Sequence, residues 1–300
     1  MIGGSTTDDC DSDITVVIAT LGECTLESCI HSISRGSVIP RALLLCIPKE
    51  LEYRVADFVK KYPFVRIVPT LCKGQVAQRL VGFKLSDTKY TLQLDSDTLV
   101  DKQMLESLSD SIANNPSSCV GPIIYRSSTQ SKYSYLSSNC NVFKKVQKNI
   151  LTLILNGFKR YQAGTISKGG IGFGPNTEID TSLVEWLPGC CVMHHTKNLI
   201  CENFYSRKGK AFAEDMYHSY YLAEKGVSMV HDSNAKVIVN FPDISDFTIY
   251  DLCKDQFGSF TAGIGWVRLA DKSLVRYTLY FGVKSLFLGF NRIFRITKSP

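Results

Sequence analysis

The chain has 300 residues, 44% hydrophobic and 21% charged, with a net charge of +6. That is enough apolar material for a large folded core, and it excludes a disordered or fibrous chain. Mean hydropathy is zero, no apolar run reaches the roughly 18 residues a membrane span needs, and the opening MIGGSTTDDCDSD lacks the apolar stretch of a secretory signal.

Eleven cysteines without regular spacing do not form a disulfide framework, so a reducing, cytoplasmic setting is expected. ITVVIAT (14–20) is a β-branched apolar run of the kind buried in parallel sheets. Leu26, Ile30 and Ile33 follow at helical spacing and stop at Gly36. ALLLCI (42–47) predicts a second strand. Leu51, Val55, Phe58 and Tyr62 predict a helix ended by Pro63, and FVRIVP (64–69) a third strand. Val76, Leu80 and Phe83 mark another helix, YTLQL (90–94) a fourth strand, and a helix from Asp101 precedes the strand-like CVGPIIY (119–125). This alternation predicts an α/β fold with a mostly parallel central sheet and helices on both faces.

The pattern loosens over 126–180. YRSSTQSKYSYLSSNCN and GTISKGGIGFGPN look like mobile loops. Between them, Val142, Val146, Ile150 and Ile154 line one side of a helix carrying Lys144, Lys145 and Lys148 off the stripe. No acidic residue occurs from Ser111 to Thr177, and such a segment suits phosphates or an anionic membrane as readily as solvent. Regular structure returns with VEWLPGCCVMHH (184–195), a helix over Ala213–Lys225 and the strand AKVIVN (235–240). The last thirty residues interleave aromatics with cations, predicting a C-terminal amphipathic helical tail that either lies on a membrane or packs on the domain. Four sections result: a flexible 1–12, two halves of one domain at 13–125 and 126–240, and an extension at 241–300.

Two acidic pairs stand out. Asp95 and Asp97 directly follow a buried strand, where the crevices of open α/β sheets bind ligands. Residues i and i+2 of extended chain face the same way, so both carboxylates can meet one hard cation, Mn²⁺ or Mg²⁺; an Asx-capped turn is the plainer reading. Glu214 and Asp215 open a helix, which the helix dipole favours by itself, or which places a general base. Cys190, Cys191, His194, His195 and Cys201 lack the paired spacing of structural zinc. GGIGFG, ending at Gly174, is no dinucleotide fingerprint, and neither a phosphate-binding P-loop nor a G-x-S-x-G elbow is present.

ITVVIATLGE with LESCIHSI, then LQLDSD, VEWLPGCCVM and AEDMYHSYYLAEKG, in this order and spacing over about 13–240, resemble the family 2 glycosyltransferases of GT-A fold. The resemblance implies metal-dependent, inverting transfer of a sugar from a nucleotide diphosphate donor to an acceptor hydroxyl. Matched residue by residue, it implies that Thr20 and Glu23 contact the nucleotide, and that Asp95 and Asp97 hold the ribose and metal–diphosphate. It puts Gly189, with Trp186 before it, on the acceptor side, and makes Asp215 of the Glu214–Asp215 pair the catalytic base. Lys73 and Arg79 would add positive charge near the diphosphate. The chain departs from the family pattern at Cys46-Ile47-Pro48, where an Asp-rich turn is usual, and at Asn240, where a histidine is usual. The Q-x-x-R-W motif of processive synthases is absent, so single additions are expected, to a glycan or lipid-linked acceptor at the inner membrane face, with no nucleic acid as partner. A nucleotidyltransferase and a non-catalytic sugar-nucleotide or membrane-binding module are the alternatives.

Overall fold

The computed structural model describes residues 12–127, 142–159, 161–205, 207, 210–240 and 247–296. The expected flexible start, apart from Ser12, and nearly all of the Ser-rich loop (128–141) lie outside them.

Nine strands form one sheet: β1 (Ser12–Ala19), β2 (Pro40–Pro48), β3 (Val65–Thr70), β4 (Tyr90–Asp95), β5 (Thr98–Val100), β6 (Ser118–Arg126), β7 (Thr181–Val184), β8 (Cys191–His195) and β9 (Ser228–Val239). Their order is β3-β2-β1-β4-β8-β6-β9-β5, with β7 also on β9. The pairings make β1 to β4, β6 and β9 run one way and β5, β7 and β8 the other, so the sheet is mostly parallel. The helices are α1 (Leu26–Ser34), α2 (Ala56–Val59), α3 (Gln75–Leu85), α4 (Met104–Ala113), α5 (Val142–Asn156), α6 (Glu214–Glu224), α7 (Ile249–Leu269) and α8 (Leu274–Ile296).

The unbroken apolar run of β1 is explained by burial on both sides. Val16 and Ile18 join the core under α1 and α4, while Val17 faces α3. From β1 the chain steps outward to β2 and β3, then returns to lay β4 on the other side of β1. That reversal opens a crevice beyond the carboxyl ends of β1 and β4, where ligands bind in such sheets. Ala19 and Asp95 are in register there.

Two expectations are corrected. The helix read from Leu51 to Tyr62 is a 3₁₀ turn, Lys49–Arg54, followed by the single-turn α2; its apolar residues pack as expected, but the chain bends at Val55 (φ −117°). The glycine-rich segment before β7 is no loose loop. It folds back on itself through Ser167 N–H to Ile171 O (2.9 Å) and Phe173 N–H to Thr165 O (2.7 Å), with Phe173 fully buried. The expected helical tail over the last thirty residues is α8, and before it α7 begins with a reciprocal cap between Thr248 and Asp251. Tyr277, Tyr280 and Phe281 of α8 pack with Trp266 of α7, Leu155 of α5 and Met216 of α6 in a core of their own.

Candidate functional site

The turn after β1 supplies the first wall. Thr20 donates its hydroxyl to Glu23, whose carboxylate also accepts from Leu21 N–H (3.2 Å) and Ser96 Oγ (3.3 Å). Gly22 has φ +78°, and a Cβ there would lie 2.8 Å from Arg54 Cβ, so the tight turn requires glycine. Gln78, buried on α3, donates to Thr20 O (2.8 Å) and Cys46 O (2.9 Å), tying the ends of β1 and β2 together.

The second wall is the acidic turn between β4 and β5. Asp95 Oδ1 accepts from Gln75 Nε2 (2.7 Å) and Arg79 Nη2 (3.1 Å), while Oδ2 accepts no protein hydrogen bond among the described residues. Burial, and then the carboxylates of Asp95 and Glu23, push Asp97 above the usual carboxylate range. Asp95 is raised by burial despite the Arg79 guanidinium beside it, with Glu214 adding to the rise.

The third wall is the start of α6. Glu214 takes the other arm of Arg79, so one guanidinium, 3% exposed, bridges the end of β4 to the first turn of α6. Ala213, just before, has the left-handed φ of +58°, uncommon outside glycine and concentrated at functional turns. Asp215 Oδ1 accepts from Met216 N–H (2.9 Å). Burial, and then the charge of Glu214, push its carboxyl up to about 7.

Gly189 closes the circle. Gln93 Nε2 donates to Gly189 O (2.6 Å), and a Cβ on Gly189 would lie 2.9 Å from Glu214 Oε2 and 3.5 Å from Asp215 Cβ. Cys190 O accepts from Asp95 N–H (2.9 Å). The Cys190 thiol is pushed well up by burial and then by the charges of Asp95, Cys191, Asp97 and Asp215.

Arg79 bridges two acids, Asp95 and Glu214, and two more, Asp97 and Asp215, adjoin these in sequence. Counted as ionised groups, Asp95, Asp97, Glu214 and Asp215 against Arg79 leave an excess negative charge in a partly desolvated cleft, an arrangement that is costly without a cation. Oxygen donors at the i and i+2 positions of one turn suit Mn²⁺ or Mg²⁺, which complete their shells with phosphate and water. Asp97 and the free oxygen of Asp95 fit that role. Among the described residues, no group of three or more His, Cys, Asp or Glu is arranged to hold a metal by itself, so other ligands would come from substrate.

Some expected residues are used differently. Arg79, expected beside the diphosphate, is spent on Asp95 and Glu214 and holds the cleft from below. That pairing also removes Glu214 as a base, leaving Asp215. Lys73 reaches Glu50 (3.4 Å) on the surface, both side chains being more than half exposed. Trp186 is buried with its indole N–H on Phe173 O (2.9 Å), so it supports the loop carrying Gly189 from behind. Gln75 and Gln93 were missed. The period of two along Thr91, Gln93 and Asp95, and the i, i+3, i+4 spacing of Gln75, Gln78 and Arg79, were the available signals.

Residues 15–168 match the model of glycosyl transferase family 2, and the chain belongs to this family, whose activity is glycosyl transfer. Similar solved structures include GalNAc-T7 with UDP, GalNAc and Mn²⁺, 14% identical with a TM-score of 0.55 over 77% of this chain and 43% of that one. Another is the mannosyltransferase PcManGT from Pyrobaculum calidifontis with GDP-Man and Mn²⁺, 12% identical with a TM-score of 0.53 over 90% of this chain and 69% of that one. These likenesses establish the GT-A fold. No curated protein matches the chain.

Proposed function

We propose that the protein is an inverting, metal-dependent glycosyltransferase that moves a sugar from a nucleoside diphosphate donor to a hydroxyl of a glycan or lipid-linked precursor. The observation that carries this reading is the Asp95–Arg79–Glu214 bridge, which ties the acidic turn after β4 to the first turn of α6, where Asp215 stands beside the bare backbone of Gly189.

Thr20 and Glu23 form the nucleotide side, and Asp95 and Asp97 hold the divalent cation. When bound, that cation supplies positive charge to the departing diphosphate. Arg79 holds Asp95 in place, and through Glu214 it fixes the turn that presents Asp215. The acceptor sits over Gly189, where no side chain blocks it. Asp215 takes the acceptor proton as the acceptor oxygen bonds to the anomeric carbon, and the bond from that carbon to the diphosphate oxygen breaks on the opposite face. The configuration at that carbon inverts. A base held at about 7 is half ionised near neutral pH and is strong enough for the task.

The setting we infer is the surface of an anionic membrane, since α8 carries cations and no acids; no helix among the described residues is long and apolar enough to cross a membrane. The test is nucleoside diphosphate release from a panel of UDP- and GDP-sugars with acceptor extracts, comparing the unchanged protein with Asp215→Asn. Turnover should fall at least about 100-fold in the variant. Equal turnover in both, or release of pyrophosphate from a nucleoside triphosphate and a sugar phosphate, would overturn the reading.

A further inference from the structure

A groove of about 640 Å³ runs between α7 and α8, far along the chain from the cleft residues. Its α7 wall includes Ile249, Leu252, Phe257 and Phe260; on α8, Phe281 and Leu288 face them. Gly282 and Gly289, one heptad apart on α8, also line it, and a Cβ built on either would meet nothing within 4 Å. Glycine inside a helix costs about 1 kcal/mol relative to alanine, and here it leaves the groove deep.

Large apolar side chains on these helices are also exposed. Phe257, Val275 and Leu286 are each more than 60% exposed, and Phe158, at the end of the adjoining α5, is 97% exposed. Three mutually packed helices thus present large side chains outward, although the opposite faces of α7 and α8 are buried in the core around Trp266 and Tyr277. Scattered apolar residues are ordinary on a surface, but an apolar groove between two helices that carry further exposed apolar side chains marks an interaction site.

Charge selects the occupant. Residues 274–296 contain Arg276, Lys284, Arg292 and Arg295 and no acid; Arg276 is turned to α5, donating to Ile154 O (2.7 Å), which leaves the other three to set the helix's charge toward a partner. The two carboxylates of α7 are already engaged, Asp251 in the cap with Thr248 and Asp255 with Lys210 (2.7 Å). At 100° per residue, both lie on the flank opposite the groove residues of that helix. A second copy of this chain would bring like charge to like charge, whereas an anionic bilayer offers hydrocarbon for the groove and phosphate for the cations.

We propose that α7 and α8 form a lipid-docking platform that takes up acyl chains of an anionic bilayer in the groove. It deepens the proposed function by naming the surface at which a lipid-linked acceptor is met, and it rests on that reading only for the acceptor. The platform is also braced to the cleft. Gly258 of α7 packs on Phe212, Arg207 donates to Thr261 O (3.0 Å), and Tyr217 Oη reaches Ala262 O (3.4 Å), so α7 supports the segment that carries Asp215.

The test is sedimentation of the full chain with vesicles of phosphatidylcholine alone and with phosphatidylglycerol added. Binding should require the anionic lipid and weaken as salt rises. Phe257→Glu and Leu286→Glu should each lower partitioning about tenfold or more, the equivalent of withholding one large apolar side chain. Leu183→Glu, equally exposed but on β7, should bind like the unchanged protein and controls for misfolding. Equal binding by all three variants would overturn the proposal. So would a dimer in light scattering that Leu286→Glu dissolves, with no vesicle binding. Vesicle binding without sugar transfer would sink the proposed function and leave the platform standing; transfer to a soluble acceptor without vesicle binding would do the reverse.

Discussion

Asp215→Asn should stabilise the protein, and increasingly so as pH rises. The Asp215 carboxyl titrates at about 7 in the folded chain because burial and the neighbouring Glu214 charge disfavour its ionised form, whereas in an unfolded chain an aspartate titrates at about 3.9. Between those values the folded state holds the proton that the unfolded state has released, so stability falls as pH climbs. The full penalty is about 3 units at 1.36 kcal/mol each, or about 4 kcal/mol above pH 8; at pH 5 only about 1.5 kcal/mol has accrued. Asparagine fills the same space without the charge. Its advantage should therefore grow by about 2.5 kcal/mol from pH 5 to pH 8. With an unfolding entropy of about 2.1 cal/mol/K per residue, this is a change of about 4 °C in the Tm difference. Thermal melts of both proteins at the two pH values measure it directly. An equal Tm difference at both would mean that Asp215 is already ionised at pH 5, and the reasoning about the base would fail.

Arg79→Ala should cost about 3–5 kcal/mol, because it leaves Asp95 and Glu214 as unpaired charges in a low-dielectric site; denaturant titration checks this, and an effect below about 1 kcal/mol would show that the bridge is not buried in solution. Gly189→Ala should reduce acceptor-dependent turnover about 10- to 100-fold with unchanged donor affinity, since its Cβ would press on Glu214 Oε2 and approach Asp215; donor titration and transfer assays separate the two quantities. Removal of 271–300 should produce an insoluble or molten chain, since it strips Tyr277, Tyr280 and Phe281 from their core; a cooperative melt at the original Tm would contradict that packing.

The parts of the fold legible in the sequence were those where one residue type serves one environment. β1, β2 and β4 read correctly because burial on both faces demands continuous apolar runs. β9 was read only from Ala235, because Asp232, Ser233 and Asn234 interrupt its pattern. The strand absorbs them at a register shift opposite Pro122 and Ile123, where the Asp232 carboxylate accepts from Asn234 N–H. On α5 the expected Val146–Ile150 stripe is half exposed, and the helix buries Gln147, Thr152 and Leu155 instead, since what covers it is α8 rather than the sheet. The acidic turn was visible from its place after a strand. The bridge from Asp95 through Arg79 to Glu214 was not. It joins residues 135 positions apart, and no local period encodes a contact that only the folded sheet creates.

Calorimetric or dye-based melts with nucleoside diphosphate, with and without Mn²⁺, test most directly whether the Asp95–Asp97 turn is the donor's cation-dependent seat and Asp215 a separate base. At a ligand concentration about 100 times Kd, binding adds about 2.7 kcal/mol, or about 4 °C here. The unchanged protein and Asp215→Asn should both gain it only when Mn²⁺ is present, and Asp97→Asn should gain almost none. A full shift in Asp97→Asn, or none in the unchanged protein with any nucleoside diphosphate, would contradict that assignment.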